Sequence, residues 1–235
     1  MAATFDRVFL WGRPFWEYLQ MFNLSKEDLE KRILDCAGGP ASFNDDLSRL
    51  GGKVVSIDPA YRMPPDEIKT HINIAHEVVR RLLIEKREFY SMDFYGNSVD
   101  EYCQVHLASM DDFLSDFPVG KSEGRYMEGA LPELPFKDKE FDLAICGNLL
   151  FLYRDVLSIE FHIQAIEELC RVSKEVRIFP LTKPAVCETD DLETVMKELN
   201  NRGYCTERVG IAYEFRKYSK EMLRVTEVPA TPHIS

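Results

Sequence analysis

Asp35 and Asp58 each close a short apolar run, Ile33-Leu34 and Val54-Val55-Ser56-Ile57. Between them lie a turn of small residues, Cys36-Ala37-Gly38-Gly39-Pro40-Ala41, and a helix-like segment. Small residues let a ligand approach the backbone, and a carboxylate accepts hydrogen bonds from a pair of hydroxyls. The succession strand, tight turn, helix, strand, acid over Lys31 to Arg62 is that of a unit that holds a nucleoside at the carboxyl ends of parallel strands.

Other chemistries lack their residues. His71, His76, His106 and the six cysteines form no metal-ligand spacing, so no metal is expected. There is no Ser-centred nucleophile elbow and no Gly-Lys-Ser/Thr phosphate loop. Asn148, Tyr153 and His162 follow a later apolar strand, and each is read as structural. No catalytic residue is assigned.

Elements must position the two acids. Trp11, Phe15, Tyr18, Leu19 and Phe22 recur at helical spacing within residues 4–22. They are read as a helix packed on one edge of the core rather than as a lid. Ser25 and Asp28 predict a capping box, as do Ser42 and Asp45. The first strand is expected over Arg32–Cys36, then a helix with Phe43, Leu47 and Leu50 inward, then a strand over Lys53–Ile57. Two helical patterns fill residues 66–120, longer than a plain crossover needs, and are read as an insertion that shapes a substrate pocket. Gly124–Leu131, Phe141–Cys146 and Glu175–Leu181 predict three more strands. Helices are expected over Ser158–Val172 and Asp190–Arg202. Tyr204–Ala212 and Met222–Val228 have no helix between them and predict an antiparallel pair, followed by an unstructured tail. Alternating strands and helices with a closing hairpin imply a doubly wound α/β fold with a mainly parallel sheet.

The 235 residues suffice for one sizeable core, read as a single domain over 1–235 with a helical segment at 1–30. A net charge of −11 argues against nucleic acid as the main partner, because phosphate neutralisation needs clustered cations. Scattered cysteines without a CxxC pair, and a start without a secretory leader, predict free thiols in a reducing cytoplasm. No apolar run is long enough to span a bilayer.

The ordered set ILDCAGGPAS, SIDPA and GALPELPFKDKEFDLAICGNLLFLY, then ELCRV and EVRIFPL, resembles class I S-adenosylmethionine-dependent methyltransferases. Within them it is similar to the methyltransferase-11 and ubiquinone/menaquinone methyltransferase kind. The resemblance covers roughly Lys31 to Leu181. It implies a Rossmann-like methyltransferase fold with a seven-stranded sheet, S-adenosylmethionine as cofactor and a small-molecule methyl acceptor. It also implies cofactor-binding roles: Asp58 at the ribose, Asp35 near the ammonium, and Cys36, Ala37, Gly38 and Gly39 at the amino-acid moiety. Pro59, Ala130 and Leu131, with Leu134, would face adenine, and Cys146 and Gly147 would lie under the methionine part. Ala37 and Ala41 stand where the family usually has glycine, which requires negative φ at both. Ala130 stands where an adenine-binding Asp is common. Asn148-Leu149-Leu150-Phe151 lacks the prolines of the Asn-Pro-Pro-aromatic motif of nucleic-acid and protein amine methylases. The alternatives are a non-catalytic S-adenosylmethionine-binding or partner-interaction module, and an NAD-dependent oxidoreductase. Against the latter, Gly38 to Phe43 does not read GxGxxG.

Overall fold

Apolar runs bounded by turn residues become seven strands. They are β1 (Arg32–Cys36), β2 (Lys53–Ile57), β3 (Tyr126–Met127), β4 (Phe141–Gly147), β5 (Ser173–Phe179), β6 (Tyr204–Gly210) and β7 (Glu221–Glu227). The helices are α1 (Phe15–Met21), α2 (Lys26–Leu29), α3 (Phe43–Arg49), α4 (Pro65–Glu85), α5 (Val99–Ser122), α6 (Ile159–Val172) and α7 (Asp190–Asn201). This computed structural model describes residues 9–181, 190–217 and 219–228. The expected helical start at residues 4–8, Cys187 and the C-terminal tail lie outside them.

The strands form one sheet in the order β3-β2-β1-β4-β5-β7-β6. The first five are parallel, and β7 runs antiparallel to both β5 and β6. This is the doubly wound, mainly parallel seven-stranded sheet with a closing antiparallel hairpin that the sequence predicts. Winding reverses between β1 and β4. Connections leave those two strands in opposite directions and open a crevice at their carboxyl ends.

Layers on both faces explain the continuous apolar runs of the central strands. Leu143 and Ile145 face α1, α3 and α5 with Phe22, Phe43 and Tyr102, whereas Ala144 and Cys146 face α6 and α7 with Ile166, Leu169 and Val195. Tyr61, Ile72, Met110, Phe113 and Tyr126 form a third cluster that joins α4 and α5 to the sheet edge.

Several local expectations are corrected. Residues 9–14 form a strap rather than a helix, because Pro14 is the extended N-cap of α1 and cannot donate to a preceding turn. A Cβ on Gly12 would run into the Pro40 carbonyl, so the strap lies directly on the turn after β1. Ser42 takes helical φ and ψ and caps nothing; Asp45 pairs with Arg49 at 2.8 Å instead. Leu50 is 69% exposed rather than inward. The third strand shrinks to Tyr126–Met127, since its partner β2 ends at Ile57 and offers no further ladder. β5 stops at Phe179, before a cis bond to Pro180, and β6 stops at Gly210. The Ser25–Asp28 box forms as expected.

Arg177 of β5 ties this frame to the N-terminal region. Its Nη1 donates to the carbonyls of Phe22 (2.9 Å) and Asn23 (3.1 Å) and to Asp28 Oδ2 (2.9 Å), and Nη2 donates to Asp28 Oδ1 (3.2 Å). Removing one member of a buried pair strands the other charge, at a cost of about 3–5 kcal/mol. Arg177→Ala is therefore expected to lower the unfolding free energy by about 3 kcal/mol, read from the urea midpoint at constant m-value.

Candidate functional site

The crevice at the β1–β4 reversal is an open cleft with about 920 Å³ of empty space, its mouth included. The turn after β1 supplies Cys36, Ala37, Gly38 and Gly39 to its floor. Asp58 and Pro59 come from the end of β2, Gly129 to Leu131 from the loop after β3, and Gly147 from the end of β4. Nine of the residues singled out from sequence thus share one wall.

Two do not. Asp35 is 2% exposed and sits beneath the turn, where a Cβ on Gly38 would collide with its Oδ2. Cys146 is fully buried, paired in register with Cys36. Leu134 is also buried and outside the cleft wall. The 66–120 insertion contributes no side chain to the wall. It acts through the strap, whose Trp11 stacks on His76, Tyr102 and His106 and donates to the Tyr102 hydroxyl at 3.0 Å.

Asp58 joins the two strand ends. Its Oδ1 accepts the Ala60 N–H at 2.8 Å and its Oδ2 accepts the Gly39 N–H at 3.1 Å. Burial pushes its carboxyl up to about 6, against the pull of those two N–H groups. Burial likewise pushes Asp35 up to about 7; the Ser56 hydroxyl, which donates to Oδ2 at 2.9 Å, pulls down and the nearby Asp58 charge pushes up. Asp35 Oδ1 is buried with no hydrogen-bond partner among the described residues.

The turn differs from expectation at Ala37, which adopts φ 59° while Gly39 adopts φ 53°. An L-residue with a Cβ pays roughly 1–2 kcal/mol in the left-handed region. The Ala37 N–H bond to the Ile57 carbonyl, 2.9 Å, holds it there. Ala41 keeps negative φ, is buried and fits as expected.

Sequence reasoning missed the opposite wall. Phe9, Leu10, Trp11, Arg13 and Tyr18 line it, so the strap is part of the site as well as packing. Arg13 donates to Glu17 (2.6 Å), Tyr213 (3.2 Å) and Asn148 Oδ1 (3.2 Å). The one available signal was a cation and an acid four residues apart around Pro14. The rim residues have structural partners: Tyr153 accepts the Phe9 N–H at 3.4 Å, and His162 Nδ1 contacts the Ser158 carbonyl at 2.7 Å. The Cys146 thiol and burial raise the Cys36 pKa, and burial with the Asp35 charge raises that of Tyr18. Neither is a base near neutral pH.

Fold and cleft define a Rossmann-like α/β protein with a ligand crevice at its topological switch point. The chain is 32% identical over 221 residues to the uncharacterized protein MJ0045 of Methanocaldococcus jannaschii, covering 93% of this chain and 95% of that one, and it belongs to the same family. No family model matches. Among solved structures, it is similar to magnesium protoporphyrin IX methyltransferase of Synechocystis PCC 6803 with bound SAM, at 14% identity over 90% of this chain and 77% of that one, TM-score 0.46. It is also similar to a SAM-dependent methyltransferase of Aquifex aeolicus, at 14% identity over 90% and 92%, TM-score 0.40. Among the described residues no helix is long and apolar enough to cross a membrane, and no three His, Cys, Asp or Glu gather to hold a metal.

Two predictions follow from this geometry. Asp35 and Asp58 hold protons in the folded state up to about 7 and 6, whereas an unfolded Asp loses its proton near 3.9. The native state therefore binds more protons between pH 4 and 7, so the ligand-free thermal midpoint falls as pH rises through that window. Asp35→Asn should flatten most of that fall, which a midpoint-against-pH series of both proteins measures. Ala37→Gly relieves the left-handed strain and costs about 0.5–1 kcal/mol of unfolded-chain entropy. It should stabilise by up to about 1 kcal/mol in urea unfolding.

Proposed function

We propose that the cleft binds S-adenosylmethionine and that the protein transfers its methyl group to a small-molecule acceptor. The observation that carries this reading is Asp58: an acid at the end of β2, in the cleft wall, fixed by N–H groups from its own strand end and from the turn after β1. Each carboxylate oxygen keeps acceptor capacity for a vicinal diol. Pro59, Ala130 and Leu131 offer the apolar slot for adenine. Cys36 to Gly39 admit the amino-acid moiety close to backbone, and Gly147 lies beneath it.

Asp35 supports the same reading from behind the turn. Its buried Oδ1 has no partner among the described residues, and a carboxyl held up to about 7 by burial can give up its proton when a cation arrives, which suits a ligand that carries an ammonium and a sulfonium. Cys146 backs Cys36 from the core side and does not meet the ligand directly.

The sulfonium supplies a good leaving group when bound, so this chain's residues need only hold the acceptor in line and keep water out. The strap, with Leu10 and Trp11 in the wall, supplies that cover. No wall residue other than Asp58 is a base near neutral pH, which favours an acceptor that is nucleophilic without enzymic deprotonation. The resemblance to the methyltransferase-11 kind, and the missing Asn-Pro-Pro-aromatic motif, support a small molecule as acceptor.

S-adenosylhomocysteine should raise the thermal midpoint of the wild type, since a ligand at 100 times its Kd adds about 2.7 kcal/mol. Asp58→Ala should abolish the rise at the same concentration. A rise with NAD and none with S-adenosylhomocysteine would overturn the assignment. Methyl transfer itself is tested by screening acceptors for S-adenosylhomocysteine release with a product one methyl heavier.

A further inference from the structure

The two ends of the cleft carry opposite charge. At the β1–β2 end stand Asp58 and, beneath the floor, Asp35. At the β4 end stands Arg13, whose guanidinium reaches Glu17, Tyr213 and Asn148 and leaves Nε without a partner among the described residues. Arg216, next in the chain to Phe215, is 9% exposed, with Nε and Nη1 both buried and unpartnered among the described residues. Arg13 lies over the ring of the neighbouring Phe215 at 5.9 Å.

Counter-charge at this end is short among the described residues. Glu17 is fully buried and already takes Arg13 at 2.6 Å, the Tyr95 hydroxyl, and His106 Nε2 at 3.2 Å. Polar groups that act on Arg216 among the described residues include the phenols of Tyr90, Tyr102, Tyr153 and Tyr213, neutral near physiological pH. Burial and the Arg13 charge hold Arg216 below its usual range. A guanidinium does not shed its proton, so an uncompensated buried one is costly and calls for an anion. Planar guanidinium forks match carboxylate and phosphate oxygens.

We infer that the methyl acceptor carries an oxyanion, carboxylate or phosphate, that docks against Arg13 at the β4 end of the cleft, with Arg216 as a positioning charge. This rests on the reading of the cleft as a methyl-transfer site, because it assigns the anion to the acceptor and not to the cofactor. Arg13 Nη2 at 3.2 Å from Asn148 Oδ1 sets the position: Asn148 directly follows Gly147, beside the reacting end of a ligand lying over β4.

Thermal midpoints in inorganic phosphate, malonate and chloride at matched ionic strength test the inference. Phosphate or malonate should raise the wild-type midpoint saturably while chloride does not, and the stronger of the two assigns the oxyanion type. Arg216→Met should show a higher midpoint than wild type in chloride and lose most of the oxyanion shift. Arg216→Lys should restore much of that shift, which a merely structural role would not do. Should Arg216→Met fail to fold, Arg216→Gln carries the same comparison. The inference is overturned if neither oxyanion outdoes chloride on the wild type, or if the neutral variant keeps the full shift. S-adenosylhomocysteine is titrated alongside and should shift wild type and Arg216→Met alike. Its failure on both, with the oxyanion shift intact, would sink the cofactor assignment and leave the anion site standing.

Discussion

The Glu17 carboxylate holds the far wall of the cleft together. It is fully buried, and it gathers Arg13 from the strap, Tyr95 from the turn before α5 and His106 from α5. Through Arg13 it also reaches Asn148 at the end of β4 and Tyr213 before β7. Burial alone would protonate such a group. The neighbouring His106 and Arg13 outweigh it and pull the carboxyl down to about 2, so Glu17 stays ionised. Without that anion the strap would bring an unpaired cation into the wall and have little reason to lie there.

The strap then explains features that otherwise look unrelated. Gly12 is pressed against the Pro40 carbonyl, so no larger residue fits between strap and turn. Ser42 takes helical φ and ψ and does not cap α3; its own N–H donates outside the helix, to the Arg13 carbonyl and the Ser109 hydroxyl, both at 3.3 Å. The 66–120 insertion packs under Trp11 rather than facing the ligand. A segment that sequence assigns to packing is thus both packing and wall.

Legibility followed range. The central strands are buried on both faces, so β1, β2 and β4 appear as uninterrupted apolar runs, and their ends could be placed within a residue. The acids and small residues at those ends were legible because a switch-point site is built from strand termini. Arg13 and Arg216 were not. Their importance lies in contacts with residues more than a hundred positions away, and a lone Arg near a proline carries no period to detect. The left-handed φ of Ala37 was hidden for a different reason: alanine usually marks negative φ, and here a hydrogen bond to Ile57 holds it on the other side. Asp35 was assigned correctly to a strand end, but its depth beneath Gly38 follows from the turn's close packing, which the residue types alone do not give.

Charge separation across the cleft ties the two ends into one device. On the proposed reading, the Asp58 and Asp35 carboxyls at the β1 turn would favour a cationic donor in that half, and Arg13 beside β4 would favour an anionic acceptor in the other. Opposite potentials in a low-dielectric crevice orient a donor and acceptor pair without a dedicated base, because each ligand is misplaced in the other's half. On the proposed reading, methyl transfer from a sulfonium would leave a neutral thioether, so the attraction of the two carboxyls at the β1–β2 end would weaken as product forms. Binding and release are then set by the same buried charges. Those charges are expensive to keep, and the protein keeps them at both ends of one cleft.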